Sequence, residues 1–216
     1  MNLVAELKKQ LESLDLQVAP ETAETLIWLL QEMLRWNQTH NLTAITDPLA
    51  GLEKHLVDSL TLLPHIAADS RLLDIGSGAG FPGLPLKLVR PDLSIVSVDA
   101  VGKKISFQKH VARKLKFDQF IAWHGRAEDL PRQSFAEAGF DLVVARAFSS
   151  ITNLVEMALP CLRPGGQIIA MKGPEGESEL AEAGEWLKER GLCCHKIVKL
   201  TLPVSGASRQ LLVLGC

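Results

Sequence analysis

A chain of 216 residues, 47% of them hydrophobic, with a formal net charge of -2, can bury a large core and suits one domain with an appendage better than two full domains. The charge excludes an overall basic field, so any contact with nucleic acid or an anionic surface has to come from a local patch. Residues 1–14 mix acids and lysines without the apolar core of a signal peptide, and no run is long enough to cross a bilayer, so a cytoplasmic location is expected. Cys161, Cys193, Cys194 and Cys216 form no Cys-x-x-Cys pair and lack zinc-finger spacing, so they read as incidental thiols and no metal is expected.

Three helices are expected before residue 69. Leu3, Leu7, Leu11 and Leu14 recur at spacings of three and four. From Pro20 a second apolar face is built by Ala23, Leu26, Ile27, Leu30, Met33 and Leu34. A third helix is expected from Leu49 to Ile66, with Leu52, Leu56, Leu60 and Leu63 inward. Between the second and third, the polar stretch Trp36 to Thr43 reads as a loop whose amides hold a fixed shape. His55, Asp58 and Ser59 are too close together on one helix to converge as a catalytic triad, and read instead as packing or hydrogen-bonding groups near a ligand.

After Asp69 the pattern alternates between strand and helix. Strands are predicted at Arg71–Ile75, Ser94–Val98, Gln119–Trp123, Asp141–Ala145, Gln167–Met171, Cys194–Leu200 and Gln210–Leu214. Helices are predicted at Gly83–Val89, Lys103–Leu115, Ile151–Leu159 and Glu175–Glu189. The alternation predicts an α/β fold with a mostly parallel sheet covered on both faces. The last two strands are too close in sequence for a crossover and are expected to pair as an antiparallel hairpin. Residues 1–68 thus read as an N-terminal helical extension packed on a core of residues 69–216, one structural unit overall.

In such sheets ligands bind beyond the carboxyl ends of the strands. The first strand ends in Asp74-Ile-Gly76-Ser-Gly78-Ala-Gly80-Phe81-Pro-Gly83, where alternate glycines allow positive φ and close approach of a ligand to the backbone. The second ends at Asp99-Ala100, an acid placed to accept hydrogen bonds from two ribose hydroxyls. That acid serves a dinucleotide or S-adenosylmethionine equally. The loop separates them: Phe81 stands where a dinucleotide fold wants its last glycine, and Asp74 favours a cationic sulfonium over a pyrophosphate. Leu162-Arg-Pro-Gly-Gly166, before the fifth strand, is a turn common in seven-stranded methyltransferases. These features point to S-adenosylmethionine as cofactor.

Several segments together resemble the RsmG (GidB) family of bacterial 16S ribosomal RNA methyltransferases. They are Trp36-Asn37 with Asn41-Leu-Thr43, His55-Leu-Val-Asp58-Ser-Leu60, Asp74 to Gly83, Asp99-Ala-Val-Gly-Lys-Lys104, Gly125-Arg-Ala-Glu128 and Ala145-Arg-Ala147. The resemblance implies a class I, Rossmann-like methyltransferase fold and methylation of N7 of guanine 527 in the 530 loop of 16S rRNA. It implies cofactor contacts at Gly76, Gly78, Phe81, Asp99, Ala100, Ala127 and Glu128, with Arg146 positioned near the site of transfer. Cations at the strand ends, Lys103, Lys104, Arg146, Lys172 and Arg209, are the expected contacts to RNA phosphates. Trp36, Phe81 and Phe148 are candidates to stack a splayed base, with packing an equal alternative for Trp36. The expected partner is 16S rRNA, naked or in the small subunit, and a monomer is expected. A small-molecule methyltransferase and a non-catalytic S-adenosylmethionine-binding protein remain the alternatives.

Overall fold

The structure, a computed structural model, describes residues 2–146 and 148–216. Helix α1, Leu3–Glu12, starts where Asn2 Oδ1 accepts hydrogen bonds from the Val4 and Ala5 N–H groups. Helix α2, Pro20–His40, opens on a proline, whose missing N–H is not needed in a first turn. It continues through Trp36 to His40, where a loop was expected. Packing overrides the polar composition there: the Trp36 ring lies 5.5 Å from Phe107, and its Nε1 donates to Glu32 Oε1 one turn back. Asn41, left-handed at φ 48°, ends the helix. The expected fixed shape does occur just beyond, where Asn37 Oδ1 accepts from the N–H groups of Leu42 and Thr43 at 2.7 and 2.9 Å.

The expected third helix is broken into parts. Helix α3, Pro48–Gly51, leads into a π-helical turn, Leu52–Val57, followed by α4, Asp58–Leu60, and a 3₁₀ turn at Leu63–His65. Leu52, Leu56 and Leu60 are fully buried, while Leu63 is half-buried. A π turn inserts one residue into the helical ladder and re-aims the side chains around it, a device that recurs at functional sites.

Seven strands follow: β1 Arg71–Ile75, β2 Ser94–Asp99, β3 Phe120–His124, β4 Phe140–Arg146, β5 Leu162–Lys172, β6 Cys193–Thr201 and β7 Ser208–Gly215. Their order in the sheet is β3-β2-β1-β4-β5-β7-β6. Pairing is parallel from β3 through β5, and β7 runs antiparallel to both β5 and β6. The Arg163-Pro-Gly-Gly166 turn does not precede β5 but bulges from it: Leu162 pairs with Phe140 and Gln167 with Leu142. Gly165 takes φ 77° in that bulge, open to a residue without Cβ.

Helices α5, Gly83–Val89, and α6, Gly102–Lys114, pack with α1, α2 and the π turn in one apolar cluster that includes Phe81. Helices α7, Ile151–Ala158, and α8, Gly176–Glu189, pack on the other face, against Leu73, Ile75 and Val143. Strand alternation explains the split: Leu72 and Ile95 face α5, whereas their neighbours Leu73 and Val96 face α7 and α8. Strand order reverses between β1 and β4, which places the crevice for a ligand above those two strands. Among the described residues, no helix is long and apolar enough to cross a membrane, and no cluster of potential metal ligands occurs.

Candidate active site

Two clefts open at this end of the sheet. The first, of about 360 Å³, is lined by Ile75, Gly76, Asp99, Ala100, Ala127, Glu128 and Phe148, among others. These residues come from the ends of β1, β2, β3 and β4, so one crevice brings together five positions expected from sequence to touch the cofactor: Gly76, Asp99, Ala100, Ala127 and Glu128. Gly76 has φ 67°, and a Cβ there would project toward the Phe148 ring. Gly78, at φ 60°, donates its N–H to Asp99 Oδ2 at 2.9 Å. Asp99 Oδ1 accepts from Val101 N–H at 2.8 Å. Each Asp99 oxygen is thus fixed by one backbone bond and keeps a lone pair for a ligand. An apolar floor of Ile75, Val98 and Met157 between two acids, Asp99 and Glu128, fits a nucleoside with a free ribose.

The loop is held from behind by a residue that sequence reasoning did not single out. Gln108 on α6 is fully buried, and its Nε2 donates to Ser77 Oγ and to the Gly78 carbonyl, each at 2.8 Å. Its only sequence signal is its spacing, three residues from both Ile105 and Val111 on the apolar side of α6. Gln108→Leu is expected to lower the unfolding free energy by roughly 2 kcal/mol, because both loop partners lose a buried donor. Urea titration checks the stability, and a parallel calorimetric titration should show weakened S-adenosylmethionine binding.

The second cleft, of about 370 Å³, is lined by Ile45, Lys54, His55, Asp58, Arg146, Met171, Lys172, Gly173 and Arg209. Phe148 joins the two: its ring lines the first, and its carbonyl accepts from Lys172 Nζ at 3.1 Å. The π turn and α4 build the floor. Arg146 Nη1 donates to the Lys54 carbonyl at 2.6 Å and stands 3.8 Å from Asp58 Oδ2, while Arg209 Nε donates to Asp58 Oδ1 at 3.0 Å. One buried carboxylate therefore holds two guanidiniums from separate strands. Burial raises the Asp58 carboxyl above its usual range, and Arg209 and Arg146 limit the rise. Glu53, also buried, accepts from the N–H groups of Val204 and Ser205 and so ties the β6–β7 turn to the same helix.

His55 is pushed down to about 3 by burial, with Arg146 and Lys54 adding to the effect, so its imidazole is neutral. Nδ1 faces Arg146 Nη2 at 3.4 Å and Nε2 faces Thr43 Oγ1 at 3.3 Å. Ser59 Oγ donates to the His55 carbonyl rather than meeting its ring, so the three residues form no triad.

The remaining expected residues sit as follows. Phe81 is buried and does not line the first cleft; its ring lies 4.9 Å from His55 and beneath the Arg146 guanidinium at 5.9 Å, where it supports the arginine. Trp36 packs between Phe107, His40 and His110. Arg146 lines the second cleft rather than the first. Lys172 is buried and already engaged by Glu179 at 2.8 Å, which leaves it little freedom to follow a phosphate. Arg209 donates from Nε to Asp58 and from Nη1 to the Ser208 carbonyl at 3.0 Å, and lines the cleft with the rest of its guanidinium. Lys103 is exposed, and Lys104 stands 4.0 Å from Asp99. Ala147, part of one motif, lies outside the described residues.

The strand order, the terminal hairpin and the glycine-lined crevice define the fold of S-adenosylmethionine-dependent methyltransferases. Solved structures agree on that fold: a SAM-dependent methyltransferase from Aquifex aeolicus has a TM-score of 0.58 at 18% identity, covering 83% of this chain and 96% of that one. The tRNA methyltransferase TrmK of B. subtilis has a TM-score of 0.59 at 16% identity, covering 76% of this chain and 67% of that one. Residues 22–212 match the profile of the family described as rRNA small subunit methyltransferase G, and the chain belongs to that family. Proteins named ribosomal RNA small subunit methyltransferase G are similar over nearly the whole length. That of Syntrophotalea carbinolica is 47% identical, covering 96% of this chain and 95% of the relative, and that of Geobacter sp. strain M21 is 48% identical, covering 97% and 95%.

Proposed function

We propose that the chain transfers a methyl group from S-adenosylmethionine to N7 of a guanine in the 530 loop of 16S rRNA. The observation that carries this reading is the pairing of a nucleoside-shaped crevice with a cationic cleft, joined through Phe148. The cofactor supplies an electrophilic methyl on a sulfonium. Gly76, Asp99, Ala100, Ala127 and Glu128 would hold it, with Asp99 accepting from the ribose through its unspent lone pairs.

Guanine N7 bears a lone pair and no proton, so its methylation requires no general base. The second cleft suits that demand, since its two acid–base candidates are already engaged: Asp58 by two arginines, and His55 as a neutral ring held on each nitrogen. What the cleft supplies is position. Lys54, Arg146 and Arg209 offer cations to the phosphates on either side of a target nucleotide, fixing it for in-line attack. Such alignment contributes roughly 7–11 kcal/mol in favourable intramolecular cases. A small-molecule methyltransferase would want a closed apolar pocket with a base instead.

The test is transfer of a radiolabelled methyl group to 16S rRNA, naked and in the small subunit, with the modified base mapped. Label at guanine N7 in the 530 loop is expected. Cofactor binding without transfer to either substrate would sink the reading.

A further inference from the structure

The cation distribution extends beyond the two clefts. Between Asp99 and Asp118 the chain carries Lys103, Lys104, Lys109, Arg113, Lys114 and Lys116 and no acid at all, in a protein whose net charge is -2. Most of this run is α6, whose buried side presents Ile105, Phe107, Gln108 and Val111 to the interior, leaving Lys103, Lys109, Arg113 and Lys114 exposed on its outer side. Among the described residues only Lys104 of this set has a carboxylate partner; single unpaired exposed cations such as Lys9, Lys54 and Lys188 occur elsewhere, but α6 gathers several of them on one helix side. The helix begins beside Asp99 and Ala100 of the first cleft and leads about 20 Å away from it at 1.5 Å per residue. Acid is gathered on other helices: α8, on the opposite face of the sheet, carries Glu177, Glu179, Glu182, Glu185 and Glu189 against Lys188, and α1 and α2 beside α6 carry Glu6, Glu12, Glu21, Glu24 and Glu32.

We infer that the outer face of α6 is a second RNA contact surface, which takes the phosphate backbone of a segment flanking the target nucleotide. The inference rests on the RNA-substrate reading above and adds to it a separate surface, outside both clefts. Unpaired, acid-free and continuous with the rim of the cofactor crevice, this face complements a polyanion by charge without reading bases. The α8 face repels the same polymer.

The test is RNA binding by K109Q/R113Q/K114Q across about 50 to 200 mM salt, with a charge-matched control, K8Q/K9Q/K188Q, on the exposed sides of α1 and α8. The α6 variant is expected to bind rRNA about tenfold more weakly at the low end, with a salt slope reduced by about 2, near 0.7 per lost phosphate contact. Its affinity for S-adenosylmethionine and its unfolding midpoint are expected to stay at wild-type values. Equal weakening in the control would reduce the effect to net charge and overturn the surface. Wild-type binding by the α6 variant overturns it as well. A wild-type protein with no salt-dependent affinity for rRNA overturns both this inference and the RNA-substrate reading, whereas methylation by wild type with an unchanged variant overturns this inference alone.

Discussion

Asp58→Ala is expected to lower the unfolding free energy by about 3 kcal/mol and to cut methyl transfer at least about tenfold, because it strands two guanidiniums around an emptied site. The carboxylate is buried and is the shared partner of Arg146 and Arg209, whose side chains remain about one-fifth exposed. That exposure holds the expected loss at the lower end of the range for a broken buried pair. Without the acid the two cations repel one another, and Arg146 keeps only the Lys54 carbonyl and the His55 ring. Asp58→Asn retains an acceptor for Arg209 Nε and should recover most of the stability, though not the charge that draws Arg146 inward. Denaturant titration separates the two variants on stability. Steady-state kinetics then shows whether the asparagine protein has a raised KM for RNA with an unchanged cofactor affinity, as a positioning role requires. Wild-type stability and KM in Asp58→Ala would remove Asp58 from the site.

How much of this was legible in sequence depended on whether the pattern was local. The ends of β1 and α5 and the start of β4's apolar run follow from alternation and punctuation, and lie within a residue of where periodicity puts them. The Asp99–Ala100 and Ala127–Glu128 positions were legible because every strand end in a parallel sheet points into the same crevice. The helical course of Trp36 to His40 was not, since it depends on a partner, Phe107, some seventy residues away in the chain. The same limit hid the π turn, whose spacing mimics an ordinary amphipathic helix until its hydrogen bonds are seen. Phe81 and Lys172 show the limit for site residues: each residue type suits a ligand contact, but internal partners, His55 for one and Glu179 for the other, are what the fold gives them. The cluster of Glu53, Lys54, His55 and Asp58 touches the β6–β7 turn, Arg146, Phe81 and Arg209, contacts that cross from the first seventy residues to the last fifteen. No spacing rule reports such a convergence.

Asp74→Asn is expected to make the cofactor-free protein more stable above pH 7 while weakening its hold on S-adenosylmethionine. Asp74 is fully buried at the end of β1; Oδ2 accepts from Gly83 N–H at 2.9 Å and Oδ1 has no partner among the described residues. Burial pushes its carboxyl from 3.8 up to about 7, opposed by the Gly83 bond and Arg146 and assisted by Asp99. Because the folded value lies above the unfolded one, the native state binds the extra proton between these limits. The stability that Asp74 contributes is therefore fully present below about pH 4, falls as pH rises toward 7, and levels off above it. At ~1.4 kcal/mol per pH unit the fall approaches about 4 kcal/mol. Asparagine removes the titration but leaves a buried amide N–H₂ to satisfy, at a cost of roughly 1–3 kcal/mol, so a net gain of about 2 kcal/mol is expected at pH 8. The cost of an ionised Asp74 has a use if the ligand is cationic, since its charge would then be repaid on binding. In wild type, affinity for S-adenosylmethionine should drop as pH falls through about 7, and in Asp74→Asn it should be weak and flat. Isothermal titration from pH 6 to 8.5, beside denaturant curves at the same pH values, measures each effect. A wild-type affinity independent of pH would separate Asp74 from the cofactor and leave its burial a purely structural strain.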